Sequence, residues 1–170
     1  HIYYSRSVED SALDYDLRAL KIAEEIKDSL RINTVLNNIF GVYSNKPNTY
    51  DKAFEYQRKA LLISIARHDT EFIATSYANL GELFIQSYIA KRDSAKNKNI
   101  SFEELDSALM HLTKAKVFPD KANLLFTLNR IGKTYLLKKE FALSEQYYRQ
   151  SYDSSKVLQA KTEMANALLG

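Results

Sequence analysis

The sequence predicts an all-α chain, and three observations predict it. Four glycines and two prolines punctuate 170 residues, fewer turn residues than a β-sandwich or an α/β fold needs. Long stretches carry helix formers with apolar residues three and four apart. One segment type also recurs: LNNIFGVY (36–43), YANLGELF (77–84) and LNRIGKTY (128–135). Each copy has apolar residues at its first, fourth and eighth places (Leu36, Ile39, Tyr43; Tyr77, Leu80, Phe84; Leu128, Ile131, Tyr135). With the fifth place, which is Gly81, Gly132 or Phe40, they form one face of a helix.

Composition narrows the function classes. The chain is 45% hydrophobic and 26% charged, as globular domains are. Its net charge of +3 arises from 24 basic and 21 acidic residues dispersed along the sequence. That balance argues against nucleic acid or an anionic membrane as a partner. There are no cysteines, so disulfides, thiolate metal sites and cysteine nucleophiles are excluded. No apolar run reaches the roughly 18 residues of a membrane span. The start at His1 and the stop after NALLG are expected to be cuts within a longer protein.

The elements follow in order. A leading second-type helix is expected at 8–27, within a first segment 1–30. The first hairpin (31–67) pairs helices at 31–45 and 49–67. Between them, Pro47 in SNKPNT pushes Lys46 out of helical geometry and ends the first helix. The second hairpin (70–117) pairs 70–91 with 101–117 around a polar insertion, AKRDSAKNKNIS (90–101). The insertion sets Lys91, Arg92, Lys96 and Lys98 against Asp93. It reads as a solvated loop, with an electrostatic contact for an acidic partner as the sharper alternative. The third hairpin (121–157) pairs 121–138 with 140–157, and a further helix starts near 160. Its Leu169-Gly170 matches Ile131-Gly132.

A second pattern marks the second helix of each hairpin. YDKAFEYQRKAL, LDSALMHLTKAK and FALSEQYYRQSY align on small residues seven apart: Ala53 and Ala60, Ala108 and Ala115, Ser144 and Ser151. ALDYDLRAL supplies Ala12 and Ala19 before any first-type helix. Small residues at this spacing let helix backbones approach closely. The combination of L-x-N-x-G-x-x-Y, an aromatic, and A-x6-A resembles the tetratricopeptide repeat over nearly the whole chain. The resemblance implies an α–α superhelix, a solenoid of hairpins each burying its apolar face on its neighbours. The steps from Ala12 to Ala53 to Ala108 to Ser144 are 41, 55 and 36 residues, similar to the long-period variant of bacterial regulatory and sensory proteins.

The candidate chemistry is thin. Gly132-Lys133-Thr134 ends like a phosphate loop, but the glycine required five residues earlier is Thr127, and no strand precedes it. Close helix packing at the Gly81 register explains Gly132 better. His1, His68 and His111 lack partners at ligand spacing, and Glu24-Glu25 and Glu103-Glu104 diverge as helix neighbours. His111 occupies the register of Tyr56 and Tyr147, so a packing role is expected. Tyr43, Tyr50, Tyr56, Tyr77, Tyr135 and Tyr147 likewise fall on positions that join hairpins. No nucleophile–base constellation is visible, and neither an enzyme nor a cofactor is expected.

What the resemblance implies is a binding groove. In this family the first helices line the concave surface. On that pattern the first hairpin exposes Asn37, Asn38, Gly41, Ser44 and Asn45, and the second Asn79, Glu82, Ile85 and Gln86. The third exposes Asn129, Arg130, Lys133, Leu136 and Leu137. Asparagines pair with peptide backbone through donor and acceptor alike, and Arg130 and Lys133 suit a carboxylate. A chaperone-clamping subclass is matched at only two of its five positions, Asn79 and Arg130; Asn37, Phe126 and Gly41 occupy the others. The expected function is therefore a non-catalytic scaffold that binds a protein or peptide. The alternative is the sensory domain of a bacterial regulator whose membrane and output modules lie elsewhere, and a third reading is self-association.

Overall fold

The structure, a computed structural model, describes the backbone of residues 2–95, 100–118 and 121–169 and the side chains of 11–95, 100–118 and 123–159. Among these residues it is all-helical, with no strand. The helices are α1 (Ile2–Glu25), α2 (Ser29–Ser44), α3 (Tyr50–Ala66), α4 (Thr70–Ser94), α5 (Glu103–Lys116), α6 (Lys121–Leu137) and α7 (Phe141–Leu169). A short 3-10 turn, Pro47–Thr49, precedes α3, and Lys46 before it is extended at φ −129°, as its proline demands. Consecutive helices pack against one another, and α4 also touches α6.

Two devices end and restart the helices. Lys27, His68 and Lys139 adopt left-handed φ values of 56°, 54° and 64° at the ends of α1, α3 and α6. Each is followed by an acid, Asp28, Asp69 or Glu140, whose N–H reaches back five residues to the carbonyl of Ala23, Ser64 or Tyr135. The left-handed residue's own N–H bonds a carbonyl three residues back, so orphan carbonyls at the helix end are satisfied. Asp28 and Asp69 then cap α2 and α4 by accepting from the N–H of Arg31 and Phe72.

The repeat register governs packing. Ala53, Ala60, Ala108, Ala115, Ser144 and Ser151 are all buried. Ala12 and Ala19 are instead exposed, because α1 has α2 as its neighbour and no helix packed before it among the described residues. A methyl group on Gly81 would meet Leu112 Cγ at 2.5 Å, and one on Gly132 would meet the Tyr148 ring at 3.2 Å. Both glycines therefore serve close helix contact. Gly41 has nothing within 4 Å; the equivalent contact belongs to Phe40, buried with Ala53 and Leu83. A second core forms from Ile85, Ala108, Leu112 and Ile131.

Aromatic pairs close each hairpin at one register. Tyr43 stacks on Tyr56 at 5.6 Å, Phe84 meets His111 at 5.3 Å, and Tyr135 stacks on Tyr147 at 5.5 Å. His111 is thus a packing residue. Its Nδ1 lies 2.8 Å from the Ser107 carbonyl. Burial pulls its pKa down, and the cations Lys114 and Arg58 add to the shift against that hydrogen bond.

Two sequence expectations change. Helix α4 runs on to Ser94 through half of the expected insertion, where Lys91 pairs with Glu104 and Arg92 with Asp93. Lys96 and Lys98 lie outside the described residues. Helix α7 continues unbroken to Leu169 where a fresh helix was expected near 160, since neither glycine nor proline interrupts residues 141–169. The side chains of that last stretch lie outside the described residues.

Candidate functional site

The first-type helices α2, α4 and α6 bring part of the expected groove together. A cleft of ≈ 320 Å³ opens between the end of α2, the start of α3 and the middle of α4. Ser44, Asn45, Asn79, Glu82 and Gln86 line it, and Tyr50 forms its far wall. Phe40 and Leu83 supply apolar surface beneath. The Pro47–Thr49 turn is what sets Tyr50 there. Thr49 Oγ1 donates to the carbonyl of Tyr43 at 2.7 Å, tying the turn to the end of α2.

Glu82 is the electrostatic centre. Its Oε1 accepts from Gln86 Nε2 at 2.6 Å and lies 3.7 Å from Lys133 Nζ, while Oε2 pairs with Arg130 Nε. The Arg130 guanidinium also lies 4.3 Å from the Phe126 ring centre. One carboxylate thus faces two cations across the α4–α6 junction, leaving a local excess of positive charge. Tyr50 is pushed above the usual phenol range by burial and then by the Glu82 charge. It is therefore a neutral hydrogen-bonding group at physiological pH.

The amides are less free than the sequence suggests. Asn37 donates to the Asn33 side chain at 2.9 Å and accepts from Gln57 at 3.2 Å. Asn79 donates to Gln57 Oε1 at 3.3 Å. Asn33 and Gln57 are fully buried, and Asn33 Nδ2 reaches Ser64 Oγ at 2.5 Å. An amide chain therefore runs across α2, α3 and α4 and restrains the rotamer of Asn79. Such a network is costly to leave half satisfied, so it holds Asn79 in place at the edge of the cleft.

The remaining expected residues separate. Asn38 is exposed and donates to Asp16 of α1 at 3.4 Å, while Asn129 is exposed beside Arg130. Ile85 was expected in the groove but is fully buried in the second core, because a residue four past Gly81 shares its face and meets α5. Leu137 packs on that same core, and Leu136 is exposed on another surface. Sequence reasoning placed Tyr50 among the packing residues and missed its place in the cleft; the signal was its position directly after the proline turn. Among the described residues no cluster of three His, Asp or Glu side chains could hold a metal ion. No described helix is long and apolar enough to cross a membrane. No family model matches the chain, and no curated protein matches it significantly.

Proposed function

We propose that the chain is a tetratricopeptide-like superhelix that binds an extended peptide segment through the surface of its first-type helices, without catalysis. The observation that carries this reading is the cleft itself. Asn45, Asn79 and Gln86 offer amide donors and acceptors beside Tyr50, over an apolar floor of Phe40 and Leu83. Peptide recognition needs that mixture: backbone-directed hydrogen bonds for affinity and an apolar pocket for one side chain. The buried amide chain beneath supports the reading further, because a preset Asn79 loses little entropy on binding. The repeat register, with glycine or Phe40 against the second helix and small residues at both contact positions, supports the superhelix.

The test is selection from a random dodecapeptide display library on the intact chain. Enriched peptides are then titrated by fluorescence anisotropy against wild type and Asn79→Ala/Gln86→Ala. The expected result is enrichment and at least a tenfold loss of affinity in the double variant at unchanged helicity. Peptides that bind both proteins equally would overturn the assignment of the cleft.

A further inference from the structure

The polarity of the cleft is set from beneath by two backbone carbonyls. An asparagine or glutamine amide can be turned end for end, and its partners decide which way it stands. Ser64 Oγ carries one proton and donates it to the Ala60 carbonyl at 2.8 Å, so it must accept from Asn33 Nδ2. Asn37 Nδ2 donates to the backbone carbonyl and the side-chain Oδ1 of Asn33, both at 2.9 Å, which turns Asn37 Oδ1 away from Asn33. That oxygen accepts from Gln57 Nε2 at 3.2 Å and leaves Gln57 Oε1 to face Asn79.

Asn79 is therefore held in one sense. Its Nδ2 donates to Gln57 Oε1 at 3.3 Å and to Asn37 Oδ1 at 3.5 Å, so both amide protons have partners in the chain below. Its Oδ1 has no partner among the described residues, and the residue lines the cleft half-buried. Gln86 is turned the same way. Its Nε2 donates to the Glu82 carboxylate, which can only accept, and its Oε1 is left without a partner among the described residues. Along α4 the cleft thus presents Asn79 Oδ1, the Glu82 carboxylate and Gln86 Oε1, and no lysine or arginine lines it.

This polarity discriminates between ligand groups. A carboxylate placed at Asn79 would meet a bare oxygen, with the Glu82 carboxylate one turn along the same helix face. A guanidinium or ammonium would need the charge of Glu82, which Arg130 and Lys133 already hold. A neutral N–H needs one acceptor and no countercharge, and every internal peptide residue except proline carries one. We infer that Asn79 Oδ1 accepts a backbone N–H from an internal segment of the bound peptide, and that a terminal carboxylate is not the group read there. The inference rests on the cleft being the peptide site proposed above.

Its first test needs no peptide. In the isotope-labelled chain the Asn79 side-chain amide protons should exchange with water at least tenfold more slowly than those of exposed Asn45; equal rates would overturn the inward orientation. The second test uses a display-selected dodecapeptide in which each backbone N–H is replaced in turn by an ester oxygen. One replacement should lower affinity for wild type at least tenfold, because it leaves Asn79 Oδ1 facing another acceptor. The same replacement should cost about twofold or less against Asn79→Ala. A peptide that needs Asn79 yet tolerates every ester would overturn the inference while leaving the cleft assignment standing. So would a terminal carboxamide that weakens binding tenfold in wild type but not in Asn79→Ala. A library that yields no binder would instead count against the proposed function, and this inference would fall with it.

Discussion

Replacing Gly81 by alanine sets two opposing terms against each other. Alanine gains about 1 kcal/mol over glycine inside a helix. The added methyl would stand 2.5 Å from Leu112 Cγ, 2.8 Å from its Cδ2 and 3.3 Å from the Ala108 carbonyl oxygen. Leu112 cannot swing aside, because it is fully buried against Ile85 and Ile131. Overpacking of that kind costs about 1–3 kcal/mol, so Gly81→Ala should lose about 1 kcal/mol net. Gly41→Ala provides the control, because nothing lies within 4 Å of its new methyl. It should gain about 0.5–1 kcal/mol. In a domain of this size that is a Tm difference of about 2–4 °C per kcal/mol, in opposite directions. Urea unfolding followed by circular dichroism measures both. The cycle with Leu112→Ala sharpens the assay: Leu112→Ala alone should cost about 2–5 kcal/mol, and in that background Gly81→Ala should become stabilising. Equal stabilisation by Gly41→Ala and Gly81→Ala in the wild-type background would refute the close-contact explanation.

Further predictions follow from the same geometry. His68→Gly should stabilise by about 0.5–1 kcal/mol, since glycine takes the left-handed conformation of that helix end without strain; thermal unfolding measures it. Gln57→Leu should cost about 1–3 kcal/mol, because Asn37 and Asn79 lose a buried partner. Chemical denaturation reads that loss. For His111 the folded pKa lies below the ordinary histidine value, so the folded state binds fewer protons. Its contribution is present above about pH 6.5 and is lost as pH falls through the folded pKa. Stability curves between pH 7.5 and 5, about a span centred on that value, should therefore slope less for His111→Tyr than for wild type.

The fold was legible because its punctuation is periodic. Gly81, Gly132 and the small residues of α3, α5 and α7 announce helix contacts that the structure realises. The helix ends at Lys27, His68 and Lys139 were not legible, because each uses a non-glycine residue in a conformation that glycine normally signals. The site was legible in part. A single helix face could be assigned from spacing, and it yielded Asn45, Asn79, Glu82 and Gln86 around one cleft. Partners across helices could not be. Asn37 bonds the buried Gln57 of its own hairpin, while Asn79 reaches the same Gln57 and Glu82 draws in Arg130 and Lys133 from neighbouring units. Ile85 and Leu136 show the limit best. They share a register, yet one is buried and the other exposed, because a following helix covers only the first.

The proposed groove is tested most directly by where a bound peptide sits. Backbone-amide NMR of the isotope-labelled chain, titrated with a display-selected peptide, locates it without substitution. Shift changes concentrated at Asn45, Tyr50, Asn79, Glu82 and Gln86 are the expected result. Changes concentrated instead on the Leu136–Tyr152 end face, or on the outer side of α3, would contradict it.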